Sequence, residues 1–123
     1  MSITPKQAIQ KGKDLENYVA DQIAAKGIDP RAARSHGSGN GNREKSDIWT
    51  NMQVLDRQAG IECKHATAYD VPCWWRQTKK LESLGYEPIL VIKQTHETYD
   101  GTKVVIYLDT FLELVKAASK LST

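Results

Sequence analysis

The sequence predicts an α/β domain: a mixed central β-sheet of about five strands flanked by helices. Three observations carry that expectation. Apolar residues recur at helical spacing in the first 27 residues, again from Asp70 to Gly85, and again after Asp109. Runs rich in β-branched and apolar residues fall between them, at 32–35, 47–50, 58–65, 88–93 and 104–108. The resulting order is helix, three strands, helix, two strands, helix, without internal repeats, and 123 residues suit a single domain covering 1–123.

The first helix has a complete start signal. Thr4 is the N-cap, Pro5 the first helical residue and Gln7 the return arm of a capping box. Ala8, Gly12, Leu15, Val19 and Ile23 form one buried stripe, and Gly27 stops the helix. Glu16 lies at the edge of this stripe, either as a boundary residue or as a carboxylate directed past Gly12. After a short strand at 32–35, the stretch from His36 to Arg43 is too polar and glycine-rich to pack and reads as a loop. It is a plain connector or a phosphate contact, because glycines such as Gly39 let backbone amides, and here the Ser38 hydroxyl, approach an anion.

Asp47 to Thr50 and Gln58 to His65 are expected to form a hairpin around a loop at 52–57, with Asp47 and Trp49 on one face. Asp70 caps the second helix, Pro72 sits in its first turn and Gly85 ends it. Trp74, Thr78 and Leu81 supply its inner face, and Gln77 falls on the same side, for a structural hydrogen bond or for holding a water. Pro88 to Lys93 has the continuous apolar character of a strand covered on both faces. Asp100-Gly101 signals a turn before the strand at 104–108, and Asp109 or Thr110 caps a last helix carrying Phe111, Leu112, Leu114, Val115 and Ala118.

Composition narrows the classes. A chain 40% apolar and 26% charged is ordinary for a folded globular protein. No apolar run approaches the roughly 20 residues that span a bilayer, and the start lacks a secretory pattern, so no membrane association and a cytoplasmic location are expected. Cys63 and Cys73 lack metal-ligand spacing and are expected as free thiols, Cys63 facing the core. A net charge of +2 does not announce nucleic acid, but its distribution is uneven. Arg31, Arg34, Arg43 and Lys45 surround the glycine-rich stretch, and Arg76, Lys79 and Lys80 form a second group, as solvated faces or phosphate contacts.

The chemistry concentrates in Gly60-Ile61-Glu62-Cys63-Lys64-His65 together with Asp47. In a strand, Glu62 and Lys64 share one face while Ile61 and Cys63 take the other. An exposed edge strand would alternate in the same way. With Asp47 on a neighbouring strand, however, two carboxylates and an ammonium meet. Such carboxylates repel unless a cation joins them, and Mg²⁺ favours one or two carboxylates plus waters and phosphate oxygens. A nearby lysine can orient or deprotonate water, or offset charge on a phosphate. Together these groups suit metal-assisted phosphodiester hydrolysis.

Lys11-Gly12 with Glu16, Ser38-Gly39, Asp47-Ile48, Glu62-Cys63-Lys64 and Gln77, in that order, resemble the PD-(D/E)XK nuclease superfamily. They are most similar to the archaeal-type Holliday-junction resolvases and their viral relatives, although Ser46 stands where the superfamily name has proline. The resemblance runs from about Lys11 to Ala118. It implies a restriction-endonuclease-like fold and a homodimeric, metal-dependent endonuclease, cell- or virus-encoded, that nicks paired strands of branched DNA. Mg²⁺, with Mn²⁺ able to substitute, would be held by Asp47, Glu62, the Cys63 carbonyl and Glu16. Lys64 would act on the water or phosphate, with Gln77 and Ser38 as further catalytic candidates. Lys11, Arg34, Ser38, Gly39, Arg43, Lys45, Arg76, Lys79 and Lys80 would contact DNA, and Trp74, Trp75 or the last helix would join two copies. The same residues would also serve a restriction-like or repair nuclease cutting duplex or damaged DNA, or remain on a DNA-binding module that no longer cuts.

Overall fold

The computed structural model describes residues 4–35 and 46–121. Ser38, Gly39, Arg43 and Lys45, with the rest of the expected loop, lie outside the described residues. Helix α1 spans Pro5–Ala25, and the expected capping box is present, with the Gln7 N–H donating to Thr4 Oγ1 and the Thr4 N–H to Gln7 Oε1. At its other end Gly27 takes φ 76°. That turn lets the Ile28 N–H reach the Ile23 carbonyl and the Gly27 N–H reach that of Ala24, closing the last carbonyls of the helix.

The architecture is mixed α/β, as expected, but the strands divide into two sheets rather than one of five. β1 (Ala33–Arg34) and β2 (Ile48–Trp49) form an antiparallel pair. β3 (Gln53–Val54), β4 (Arg57–Ala66), β5 (Glu87–Gln94) and β6 (Lys103–Val105) form a four-stranded sheet in that spatial order, with β4 and β5 parallel and the other pairs antiparallel. The predicted hairpin between 47–50 and 58–65 is therefore corrected. β4 turns back on β3, inside the segment read as a loop, and Leu55 at φ 60° makes the tight turn. β2 touches β4 through one backbone bond, from the Asp47 N–H to the Ile61 carbonyl at 2.7 Å.

Alternation along β4 and β5 sorts the core. Ile61, Cys63, Ile89 and Val91 pack with Leu15, Ala20 and Ile23 of α1, and Ile48 and Val54 close that cluster. Leu90 and Ile92, also buried, take the opposite face with Leu81 and Thr78. α2 spans Val71–Lys79 and runs into a 3₁₀ turn at Lys80–Leu84, which Gly85 ends at φ 92°. α3 spans Leu108–Leu121, so the strand expected to reach residue 108 stops at Val105 and the helix starts before the expected Asp109 or Thr110 cap. Thr110 instead turns inward and donates to Glu87 Oε2 at 2.8 Å. Among the described residues, no helix is long and apolar enough to cross a membrane.

Candidate active site

Asp47 is held by its backbone before its side chain does anything. Its carbonyl accepts the Ser35 N–H at 2.9 Å and its N–H binds Ile61, so it is clamped between β1 and β4. The side chain then turns onto β4, where Oδ2 accepts the Cys63 N–H at 2.8 Å. A strand residue presents its N–H and C=O on the same edge, so the Cys63 carbonyl also faces the Asp47 side of β4. The chain leaving β2 has its own anchor: buried Asp29 accepts from Thr50 Oγ1 at 2.7 Å and from the Asn51 and Arg31 amides. The Thr50 bond and then those two amides hold the Asp29 carboxyl below the usual range. Asp29 is an acceptor that sequence reasoning did not single out, and it ties the chain leaving β2 to the turn before β1.

Glu62 and Lys64 follow on the same face of β4, both half-buried. The Glu62 carboxyl lies within hydrogen-bonding reach of the Asp47 carboxyl. Burial first, then the Asp47 charge and this hydrogen bond, push the Glu62 pKa well above the ordinary carboxylate range, while Lys64 pulls it down. Glu16 reaches the same neighbourhood from α1. Its pKa is raised to about 7, first by burial and then by Asp47, against the lowering charges of Arg34 and Lys13. Three carboxyls from α1, the start of β2 and β4 thus interact electrostatically with one another and with Lys64 and Arg34.

A cleft of about 280 Å³ opens beside Glu16, lined by Ala8, Ile9, Gly12, Lys13, Glu16 and Arg34. A Cβ on Gly12 would meet nothing within 4 Å, so the glycine widens this cleft rather than permitting a packing contact. Lys13 is the basic residue that sequence reasoning passed over. Its position three residues before Glu16 on one helix was the available signal.

Other expected residues lie elsewhere or point differently. Gln77 is exposed, a correction of its expected inward orientation: Thr78 takes the buried position and donates to the Trp74 carbonyl at 2.8 Å. Arg76, Lys79 and Lys80 are exposed on α2 and the turn after it, where cations near a helix C-terminus are also favoured by its dipole. Lys11 is half-buried, and its carbonyl accepts from His65 Nδ1 at 3.1 Å. Trp74 and Trp75 both find ring partners in their own chain, Tyr69 at 6.0 Å and Tyr107 at 5.1 Å between centroids. Cys63 faces the core as expected, and burial, reinforced by the carboxylates, raises its thiol pKa.

Among the described residues, no three His, Cys, Asp or Glu side chains converge into a group that could hold a metal by themselves. A zinc site would need such a set. A hard cation would not, because two carboxylates and a carbonyl leave the remaining positions to water and phosphate oxygens. The donors around Asp47 and Glu62 are all oxygens and fit that second case. Comparison of the chain with protein-family models, curated proteins and solved structures yields no match.

Proposed function

We propose that this protein is a divalent-metal-dependent DNA endonuclease with a restriction-endonuclease-like fold, acting on branched DNA such as four-way junctions by paired nicks, as a homodimer in the cytoplasm. The supporting observation is the meeting of Asp47 and Glu62, which share a hydrogen bond beside Lys64 while Asp47 is bonded to the Cys63 N–H. Burial and the Asp47 charge raise the proton affinity of Glu62, and a bound cation would oppose that shift. Asp47, Glu62 and the Cys63 carbonyl would hold Mg²⁺ or Mn²⁺, with Glu16 of α1 adding its charge to the same field. A bound divalent cation supplies Lewis-acid activation of the phosphodiester and of water. Lys64 would set its ammonium against the phosphate or the water, and Arg34 and Lys13 would draw the backbone into the cleft beside Glu16.

The test is cleavage of an immobile four-way junction beside an equal-length duplex, with Mg²⁺ and with chelator, mapping cuts on every strand. Paired cuts on opposing strands of the junction alone, and only with metal, are the expected result. Metal-dependent cutting of the duplex would keep the site and move the substrate to the restriction or repair class. Binding without products on any DNA would overturn the enzyme and leave a DNA-binding module.

A further inference from the structure

Two of the three tryptophans have ring partners, Trp74 with Tyr69 and Trp75 with Tyr107. Trp49, the third, has none among the described residues, and it is 41% exposed. Tryptophan is a highly buried residue on average, so an open indole on a strand is the less common case. Its placement follows from β1 and β2. Ile48, one residue earlier, packs into the core with Leu15, and alternation sends Trp49 to the other, outward face. Directly paired strand residues share a face. Arg34 pairs with Ile48 on the inner side, where it lines the cleft with Glu16, and Ala33 pairs with Trp49 on the outer side. Ala33 is itself exposed and offers only a methyl group, too little to cover an indole.

Two features say what would lie against this ring. Asp47 is two residues earlier in the chain, and α-carbons so spaced are at most about 7 Å apart, so the open indole adjoins the carboxyls at which a phosphodiester would be cut. Cations flank the same pair of strands: Arg34 within β1, Arg31 in the turn before it, and Lys13 lining the cleft beside Arg34. Cations for phosphates and a bare aromatic ring for bases are the two components with which proteins hold single-stranded nucleic acid. In a closed duplex both faces of every base are taken by stacked neighbours. A surface indole therefore finds a base only where one is unpaired, as at an opened branch point.

We propose that Trp49 is a base-stacking residue: its indole takes an unpaired DNA base next to the phosphate held at Asp47 and Glu62, and thereby favours branched or opened DNA over closed duplex. The proposal rests on the nuclease reading for its ligand and adds the group that tells one DNA structure from another. Its readout is binding in chelator, where nothing is cut. Stacking without cleavage would leave this proposal standing on a DNA-binding protein. Cleavage without stacking would remove Trp49 and leave the nuclease.

Trp74→Phe combined with Trp75→Phe keeps aromatic rings for Tyr69 and Tyr107 and leaves Trp49 as the sole tryptophan. In chelator at low salt, the fluorescence of Trp49 should be quenched by an oligothymidylate and by an immobile four-way junction. A duplex with the same G·C-rich ends should bind, as read from the anisotropy of labelled DNA, without quenching it. Trp49→Ala should keep the circular dichroism spectrum and weaken binding of the oligothymidylate and the junction by roughly tenfold, while duplex affinity changes less than about twofold. Trp49→Phe keeps a ring and should recover most of that loss. Equal losses on junction and duplex, no quenching by the oligothymidylate, or Trp49→Phe as weak as Trp49→Ala would each overturn the proposal. So would failure to bind any of the three DNAs, whatever the cleavage test returns. The sole-tryptophan protein decides the matter if Trp49→Ala fails to fold, and the alanine and phenylalanine pair decides it if the double replacement does.

Discussion

Asp47 does two jobs that substitution can separate: its backbone ties β1 to β4, and its carboxylate accepts the Cys63 N–H while sharing a hydrogen bond with Glu62. Asp47→Asn keeps an oxygen for the Cys63 N–H, so stability should change by no more than about 1 kcal/mol. It removes the charge that, after burial, does most to raise the Glu62 pKa. Glu62 should therefore titrate lower in the variant, measurable by NMR of its side-chain carboxyl, and junction cleavage should fall at least about a hundredfold. An unchanged Glu62 titration would mean that the two carboxyls do not interact, and full cleavage would remove Asp47 from the site.

At the scale of elements, β4 carries the site because it is held from both sides. β5 pairs along it from Ala59 to Ala66, and β3 and Asp47 take the other edge. Gly60, two residues before Glu62, is where β4 meets the turn into β5. An added Cβ there would stand 2.7 Å from Tyr86 Cβ and 3.1 Å from Leu81. Gly60→Ala should cost about 1–3 kcal/mol in urea unfolding, as overpacking does in a well-filled core. A neutral result would show that Tyr86 and the turn yield freely. The glycine reads in sequence as an incidental part of the motif, and its reason becomes visible only when the turn at 84–86 is laid across it.

For the molecule as a whole, the raised carboxyls make metal and pH two sides of one equilibrium. Folded Glu16 holds its proton to about pH 7 against an unfolded value of 4.5, and Glu62 is shifted in the same direction. The folded state thus binds more protons than the unfolded chain across this window. Stability of the metal-free protein is greatest below pH 4.5 as far as these groups go, and falls as pH rises through the folded values. Thermal melts with chelator should show that fall, and Mg²⁺ or Mn²⁺ should raise the melting temperature more at pH 8 than at pH 5, because a cation binds the ionised carboxylates. A metal effect independent of pH would place the cation away from Glu16 and Glu62. DNA affinity should also drop steeply with salt, with roughly 0.9 of log–log slope for each phosphate neutralised on duplex. A salt slope unchanged from the wild type's in both Arg34→Ala and Lys13→Ala would dismiss the cleft as a phosphate path.

The sequence by itself determined the three helices and the caps of the first two, the buried strand at 88–93 and the face shared by Glu62 and Lys64, because periodicity and capping are local properties of the chain. It also brought Asp47 and Glu62 to notice as a pair. Tertiary structure alone decided how they meet: β2 pairs with β1 rather than folding onto β4, so Asp47 reaches β4 through one backbone bond and its side chain. Gln77 shows the same division from the other side, since helical spacing named its neighbours correctly but the packing gave the buried position to Thr78. The final helix is the clearest case. Its amphipathic stripe was legible as a packing face, yet whether a stripe packs on its own chain depends on where the rest of the fold leaves room, and here most of that stripe remains exposed.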